Sequence, residues 1–159
     1  MYNNLVFLPI DDDLLTALRD GEQTFTMRHG AALHDVRLVA DVTAQMLALV
    51  TRPPWGGFLA VDNAQVIGTC AFKAAPDADG MVEIAYYTFP PFERRGYATA
   101  MAAELVRRAS ASPLVKLIIA HTLPERNPST SVLQRNGFTF AGDVVDPEDG
   151  PVWRWEWGG

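Results

Sequence analysis

The spacing of apolar and polar residues changes several times along this chain, and each change marks an element. Between residues 96 and 109, Ala98, Met101, Ala102, Leu105, Val106 and Ala109 recur at i, i+3, i+4 and i+7. That spacing predicts a helix with one buried face. Residues 81–89 alternate instead: Val82, Ile84 and Tyr86 share one face of a strand, and Glu83 and Ala85 share the other. Two runs at 58–61 and 65–73, separated by Asp62-Asn63, predict a hairpin. The continuous apolar run at 114–120 suits a buried, parallel strand. Residues 5–9 predict a short strand. Asp11 to Asp13 then supply helix-start carboxylates, followed by an apolar stripe of Leu14, Leu15 and Leu18. Residues 21–34 carry no clear period. Residues 35–50 read as helix, ended by a breaker at 51–57 that contains Pro53-Pro54 and Gly56-Gly57.

The last third is punctuated more sharply. Asn127-Pro128 predicts a helix N-cap with proline at the first helical position, and Gly137 closes that helix. Residues 138–145 and 152–157 predict strands around the turn 146–150. Together the elements predict an α+β domain. A mixed, mostly antiparallel sheet is flanked by helices, with one strand–helix–strand crossover over 81–120. No repeat or linker divides the chain, so residues 1–159 read as a single domain.

Composition narrows the classes. The chain has 159 residues and a net charge of −6, which argues against general nucleic-acid or anionic-membrane binding. No N-terminal stretch joins a basic start to a long apolar run, and no apolar run reaches the ~18 residues of a membrane span. Cys70 is the only cysteine, which excludes an intrachain disulfide and a cysteine zinc cluster. It reads as a small apolar strand residue. The expectation is a cytoplasmic protein, monomeric or homodimeric.

The candidate chemistry begins at residues 93–99, Glu-Arg-Arg-Gly-Tyr-Ala-Thr, a basic glycine-containing turn that runs into the best helix. Helix starts expose free N–H groups and the positive end of the dipole, so they attract phosphate. Gly96 allows close approach of a ligand, and Arg94 and Arg95 add donors. The turn matches neither the nucleotide P-loop nor the three-glycine dinucleotide pattern. A plain strand-to-helix turn is the structural alternative.

Three segments read together carry a resemblance: Val82-Glu-Ile-Ala-Tyr-Tyr87, Arg95-Gly-Tyr-Ala-Thr99, and Ser129 with Val132-Leu133 and Gly137-Phe138. The chain resembles the GNAT superfamily of acyl-CoA-dependent N-acyltransferases from about residue 56 to 157. Within it, the chain looks like the ribosomal-protein-alanine N-acetyltransferase branch. The resemblance implies acetyl-CoA as cosubstrate, no metal, and a primary amine on a small molecule or a protein N-terminus as acceptor, attacked directly in a ternary complex. It implies that backbone groups of Thr88, Phe89 and Pro90 pair with the pantetheine arm, and that Arg94, Arg95, Gly96, Tyr97, Ala98 and Thr99 bind the pyrophosphate. Asn127 is either a further contact to the CoA arm or simply the helix cap.

The chain departs from the family pattern in three places. Glu93 stands where the family has Gln or Arg, and is expected to point to solvent. Arg126 stands where the family often has Asn. Leu133 stands where many members carry a tyrosine acid. Ser129 is then the remaining acid candidate by resemblance, against a local helix-end role.

Acyl transfer to an amine needs a base for the ammonium and a proton for the leaving thiolate, and a donor to the thioester carbonyl. Glu83, on the face of its strand opposite Val82 and Ile84, is the leading base candidate. His121, at the end of the 114–120 run, is the other. His29 and His34 lie in the unassigned region. Trp153, Trp155 and Trp157 share one strand face, expected to be core or edge, and Trp55 sits on a loop. A non-catalytic acyl-CoA-binding or regulatory protein on the same fold is the alternative function.

Overall fold

The computed structural model describes residues 5–49 and 54–158. Seven strands form one sheet in the order β1-β2-β3-β4-β5-β7-β6. They are β1 (Val6–Pro9), β2 (Gly57–Asp62), β3 (Gln65–Phe72), β4 (Met81–Thr88), β5 (Leu117–Thr122), β6 (Thr139–Asp146) and β7 (Gly150–Trp157). Only β4 and β5 are parallel; every other neighbouring pair is antiparallel. The helices are α1 (Asp12–Asp20), α2 (Glu22–His29), α3 (Val36–Leu49), α4 (Tyr97–Ser110) and α5 (Pro128–Arg135). The α+β architecture and the 81–120 crossover are as the sequence predicts.

Local chemistry accounts for the element boundaries. Asp11 caps α1 by accepting from the Leu14 N–H at 2.8 Å. Asn127 caps α5 in a reciprocal box with Thr130, with Pro128 at the first position. Gly137 follows α5 at φ +85°, the left-handed position expected beyond a helix end. The apolar run near 114 begins pairing only at Leu117. Residues 112–116 are spent on a turn, in which the Ser112 carbonyl accepts from Val115 and the Gly80 carbonyl accepts from Lys116. The unassigned region 21–34 contains α2, a helix that buries only Phe25 and leaves Met27 86% exposed. The first part of the breaker expected at 51–57, residues 51–53, lies outside the described residues.

The two faces of the sheet are distinct. Gly68 on β3 points at Met101 of α4, so its cross-strand partner Thr88, and Tyr86 two residues back, lie on the α4 face. Thr69 donates to Met46 of α3, and Gly57 points at Ile10 and Met46. Glu83, Ala85 and Tyr87 alternate onto that second face. The core fills both sides, with Leu14, Leu18, Phe25 and Val39 from α1–α3 and Met101 and Leu105 from α4, all fully or almost fully buried. The three tryptophans of β7 share one face as expected. Trp155 is buried and donates its indole N–H to Thr122 Oγ1 at 3.1 Å.

Candidate functional site

The site arises where the sheet opens. β3 pairs with β4 all the way to Thr88, but β5 pairs with β4 only through Met81, Val82 and Glu83. Beyond Glu83 the two strands part. Lys73 N–H bonds the Glu83 carbonyl and Phe89 N–H bonds the Ile67 carbonyl, so odd-numbered β4 residues bond to β3. Antiparallel alternation therefore turns the N–H and C=O of Tyr86 and Thr88 toward the gap.

On the α4 face the gap widens into a cavity of about 600 Å³. Its walls are Tyr86, Tyr87 and Thr88 of β4, the turn from Phe92 to Thr99 apart from Arg95, and Pro128, Ser129, Ser131, Val132 and Arg135 of α5. The turn enters through a 3₁₀ segment, Pro90–Phe92. It then takes positive φ at both Arg94 (+64°) and Gly96 (+83°). A non-glycine residue at such φ costs on the order of 1–3 kcal/mol and marks a site under constraint. Alternation of this kind turns successive N–H groups to one side, an anion cradle. Helix α4 then begins at Gly96 with no side-chain cap and no acidic residue in its first turn. Its first N–H groups and the positive end of its dipole are left for an anion. The Thr88 hydroxyl is buried without a hydrogen-bond partner. Among the described residues the guanidiniums of Arg94 and Arg135 carry no ion pair. These features fit an extended ligand with phosphate at the turn and polar groups along β4.

Helix α5 ties the two ends of the cavity together. At its C-terminal end Asn136 Nδ2 donates to the Thr99 carbonyl at 3.2 Å. At its start the Tyr86 hydroxyl lies 3.0 Å from Ser129 Oγ and 3.2 Å from the Ser129 carbonyl. Burial pushes the Tyr86 phenol above its ordinary range and outweighs the Ser129 hydrogen bond, which pulls the other way.

On the opposite face Glu83 meets His121. The parallel register sets Glu83 beside Ile119, so His121 is the next β5 residue on that face. His121 Nδ1 stands 2.9 Å from Glu83 Oε2, and Lys73 Nζ stands 3.1 Å from the same oxygen. A carboxylate accepting from both requires a proton on His121 Nδ1. Both side chains are mostly shielded, 21% and 18% exposed. The two base candidates of the sequence are thus one hydrogen-bonded unit.

The other sequence candidates divide. Thr88, Arg94, Gly96, Tyr97, Ala98, Thr99 and Ser129 line the cavity. Phe89 is fully buried in the core, Pro90 opens the 3₁₀ segment, and Arg95 lies over the Phe92 ring at 5.8 Å. None of these three side chains lines the cavity. Asn127 does not either, because its Oδ1 is spent on the Thr130 N–H. Glu93 is exposed, as expected, at the cavity rim. Tyr97 also donates to Asp62 at 2.6 Å, tying α4 to β2. Sequence reading missed Tyr86 and Arg135. Tyr86 reads as one more core position of an alternating strand, and Arg135 as a helix-end cation. His34 packs on Phe89 and Phe92 beneath the turn. Cys70 is fully buried and its thiol is pushed up to about 12, chiefly by desolvation, so it is no nucleophile. No cluster of three or more His, Cys, Asp or Glu among the described residues is arranged for a metal, and no helix among them is long and apolar enough to cross a membrane.

Residues 4–139 match the acetyltransferase (GNAT) domain family, and the chain belongs to that family. An uncharacterized N-acetyltransferase of Bacillus subtilis, YjdG, is 31% identical over 77 residues, which is 48% of this chain and 46% of that protein. A solved structure of RimL, a ribosomal L7/L12 alpha-N-protein acetyltransferase in complex with coenzyme A, superimposes with a TM-score of 0.72 at 14% identity. It covers 98% of this chain and 94% of that one. The Microcin C7 self-immunity acetyltransferase MccE, in complex with acetyl-CoA and AMP, gives 0.69 at 13% identity over 99% and 93%. These two likenesses establish the shared fold.

Proposed function

We propose that the protein is an acetyl-CoA-dependent N-acetyltransferase that moves an acetyl group to a primary amine by direct attack in a ternary complex. The observation that carries this reading is the opened sheet. A cavity lined by an uncapped helix start lies on one face, a shielded carboxylate–imidazole pair lies on the other, and the gap between β4 and β5 joins them.

In this reading the turn N–H groups from Arg94 to Thr99 hold the pyrophosphate. The pantetheine arm lies along β4, exchanging hydrogen bonds with Tyr86 and Thr88 as an added strand would. A β4 N–H facing the gap polarises the thioester carbonyl. The amine enters from the Glu83 face. Glu83, directly or through one water, takes a proton from the ammonium, while the His121 N–H and Lys73 hold the carboxylate in place. The amine lone pair then attacks the carbonyl carbon, the C–N bond forms, and the C–S bond breaks. Ser129 or a water assists the departing thiolate. The relatives named for ribosomal-protein N-termini make a protein N-terminus one acceptor class, and amine-bearing small molecules are the other. The cytoplasm is the setting for this reaction.

Calorimetry with acetyl-CoA tests the cosubstrate. Wild type binds, and Gly96→Glu, which places a carboxylate in the cradle, does not. Failure of wild type to bind refutes the reading. Thiol release is then measured over peptides with free N-termini, polyamines, amino acids and aminoglycosides. Binding without release for any amine supports the non-catalytic CoA-binding alternative.

A further inference from the structure

The family position for a tyrosine acid holds Leu133, which is fully buried, yet the cavity contains another phenol. Tyr86 lies on the α4 face of β4, three residues past Glu83, where the strand has already left β5. Its hydroxyl stands 3.0 Å from Ser129 Oγ and donates to the Ser129 carbonyl at 3.2 Å, a bond it exchanges for the sulfur when the thiolate forms. We infer that Tyr86, with Ser129 behind it, is the proton donor to the leaving thiolate. This rests on the transferase reading above.

The cavity has a direction. Its phosphate end is marked by the uncapped α4 start and by Asn136 against Thr99. Its other end is marked by Tyr86 against Ser129. The two anchor points on α5 are seven residues apart, roughly 10 Å along the helix. A ligand with phosphate at the turn therefore runs its arm toward Tyr86, and its sulfur leaves on the face opposite Glu83. Of the cavity hydroxyls, those of Thr88, Thr99, Ser129 and Ser131 are aliphatic alcohols. Tyr97 is engaged with Asp62, and Tyr87 is 43% exposed on the other face. A phenol, at an ordinary pKa of about 10 and here raised by burial, still lies closer to a thiol at about 8.5 than an aliphatic alcohol does.

The groups facing Tyr86 are the Cys70 thiol opposite it on β3 and the Ser129 hydroxyl of α5. Across the cavity stand Glu93, Arg94 and Arg135. Burial keeps the phenol protonated through neutral pH. When the C–S bond breaks, its electron pair stays on sulfur and the Tyr86 O–H proton moves to it, giving the free thiol. The phenolate recovers a proton from solvent through the Ser129 hydroxyl, which accepts one proton as it passes its own on, so Ser129 is unchanged and the proton released by the amine balances the cycle.

The test needs no knowledge of the acceptor. Coenzyme A is bound to wild type and to Tyr86→Phe, and the bound thiol is titrated by its thiolate absorbance. A phenol donor stabilises the thiolate, so the thiol titrates about one unit lower in wild type, a tenfold change in its acid constant. Ser129→Ala falls between the two. Site-specific difluorotyrosine at 86, a more acidic donor of nearly the same shape, lowers the thiol further and serves if the Phe variant misfolds. Equal titration of the thiol in all forms, with coenzyme A still bound, overturns the Tyr86 assignment and leaves the transferase reading standing. Absence of binding to wild type refutes both. With an amine that turns over, the alkaline limb of kcat moves down with difluorotyrosine and is absent in Tyr86→Phe, while the Kd for coenzyme A stays within about threefold.

Discussion

Gly68→Ala is the most exacting test of how the site is held open. Gly68 lies on β3 directly opposite Thr88, the last paired residue of β4, and beneath Met101 of α4. A Cβ built there meets the Tyr87 carbonyl oxygen at 2.6 Å, Met101 Cε at 2.8 Å and Met101 Sδ at 3.1 Å. Contacts below 3.0 Å force something to move. The methionine tip can yield; the strand carbonyl can yield only by shifting β4. Overpacking of this kind costs about 1–3 kcal/mol. For a domain of this size each kcal/mol moves Tm by about 2–4 °C, so a fall of roughly 2–12 °C is expected in scanning calorimetry. Met101 is fully buried, and Met101→Ala alone costs about 2–5 kcal/mol through the cavity it leaves. The double variant relieves the clash with Met101 and keeps the clash with Tyr87. It should therefore lose less than the sum of the singles by about 1 kcal/mol, within the usual range for touching residues. Strict additivity together with a wild-type Tm for Gly68→Ala would refute the argument. Coenzyme A affinity should fall in the Gly68 variant, because β4 and α4 are the two walls that must move.

Other expectations follow from the same geometry. Glu83→Gln should lower kcat by about 100-fold or more with acetyl-CoA affinity kept; unchanged turnover removes Glu83 from the mechanism. Arg135→Gln should weaken coenzyme A by about tenfold, on the scale of a charge-assisted contact, and flatten the salt dependence of binding; unchanged calorimetry would show that this guanidinium stays in solvent. Glu104 accepts from Arg107 and Arg108, each at 2.6 Å, and these hydrogen bonds hold its carboxyl below the usual range. A depressed folded pKa means stability that is present above the ordinary value near 4.5 and lost as pH falls. Glu104→Gln should therefore lower Tm by about 2–4 °C at pH 7. That difference should close in acid, and a gap independent of pH would contradict the assignment.

Local signals were legible where one residue type has one physical use. The Asn127-Pro128 cap, the period of α4 and the alternation of β4 each appear in the structure where the sequence put them. Helix α2 was not legible because it buries a single side chain, and one apolar residue defines no period. The pairing of Glu83 with His121 is set by a parallel register between residues 38 apart, and Tyr86 meets Ser129 across 43 residues. No local pattern encodes such contacts. Turn chemistry pointed to an anion, whereas the parting of β4 from β5 beyond Glu83, which opens the cavity, has no local signature in the sequence.

That parting also bears on the mechanics of the molecule. The two halves of the sheet, β1–β4 and β5–β7–β6, are stitched by three residue pairs. A ligand strand that bonds Tyr86 and Thr88 lengthens the seam, so it acts as a removable part of the sheet. Its binding free energy then adds to folding: at a hundred times its Kd it contributes about 2.7 kcal/mol. The melting temperature of this protein becomes a gauge of how much cosubstrate surrounds it, and amide exchange on β5 should slow as that pool fills.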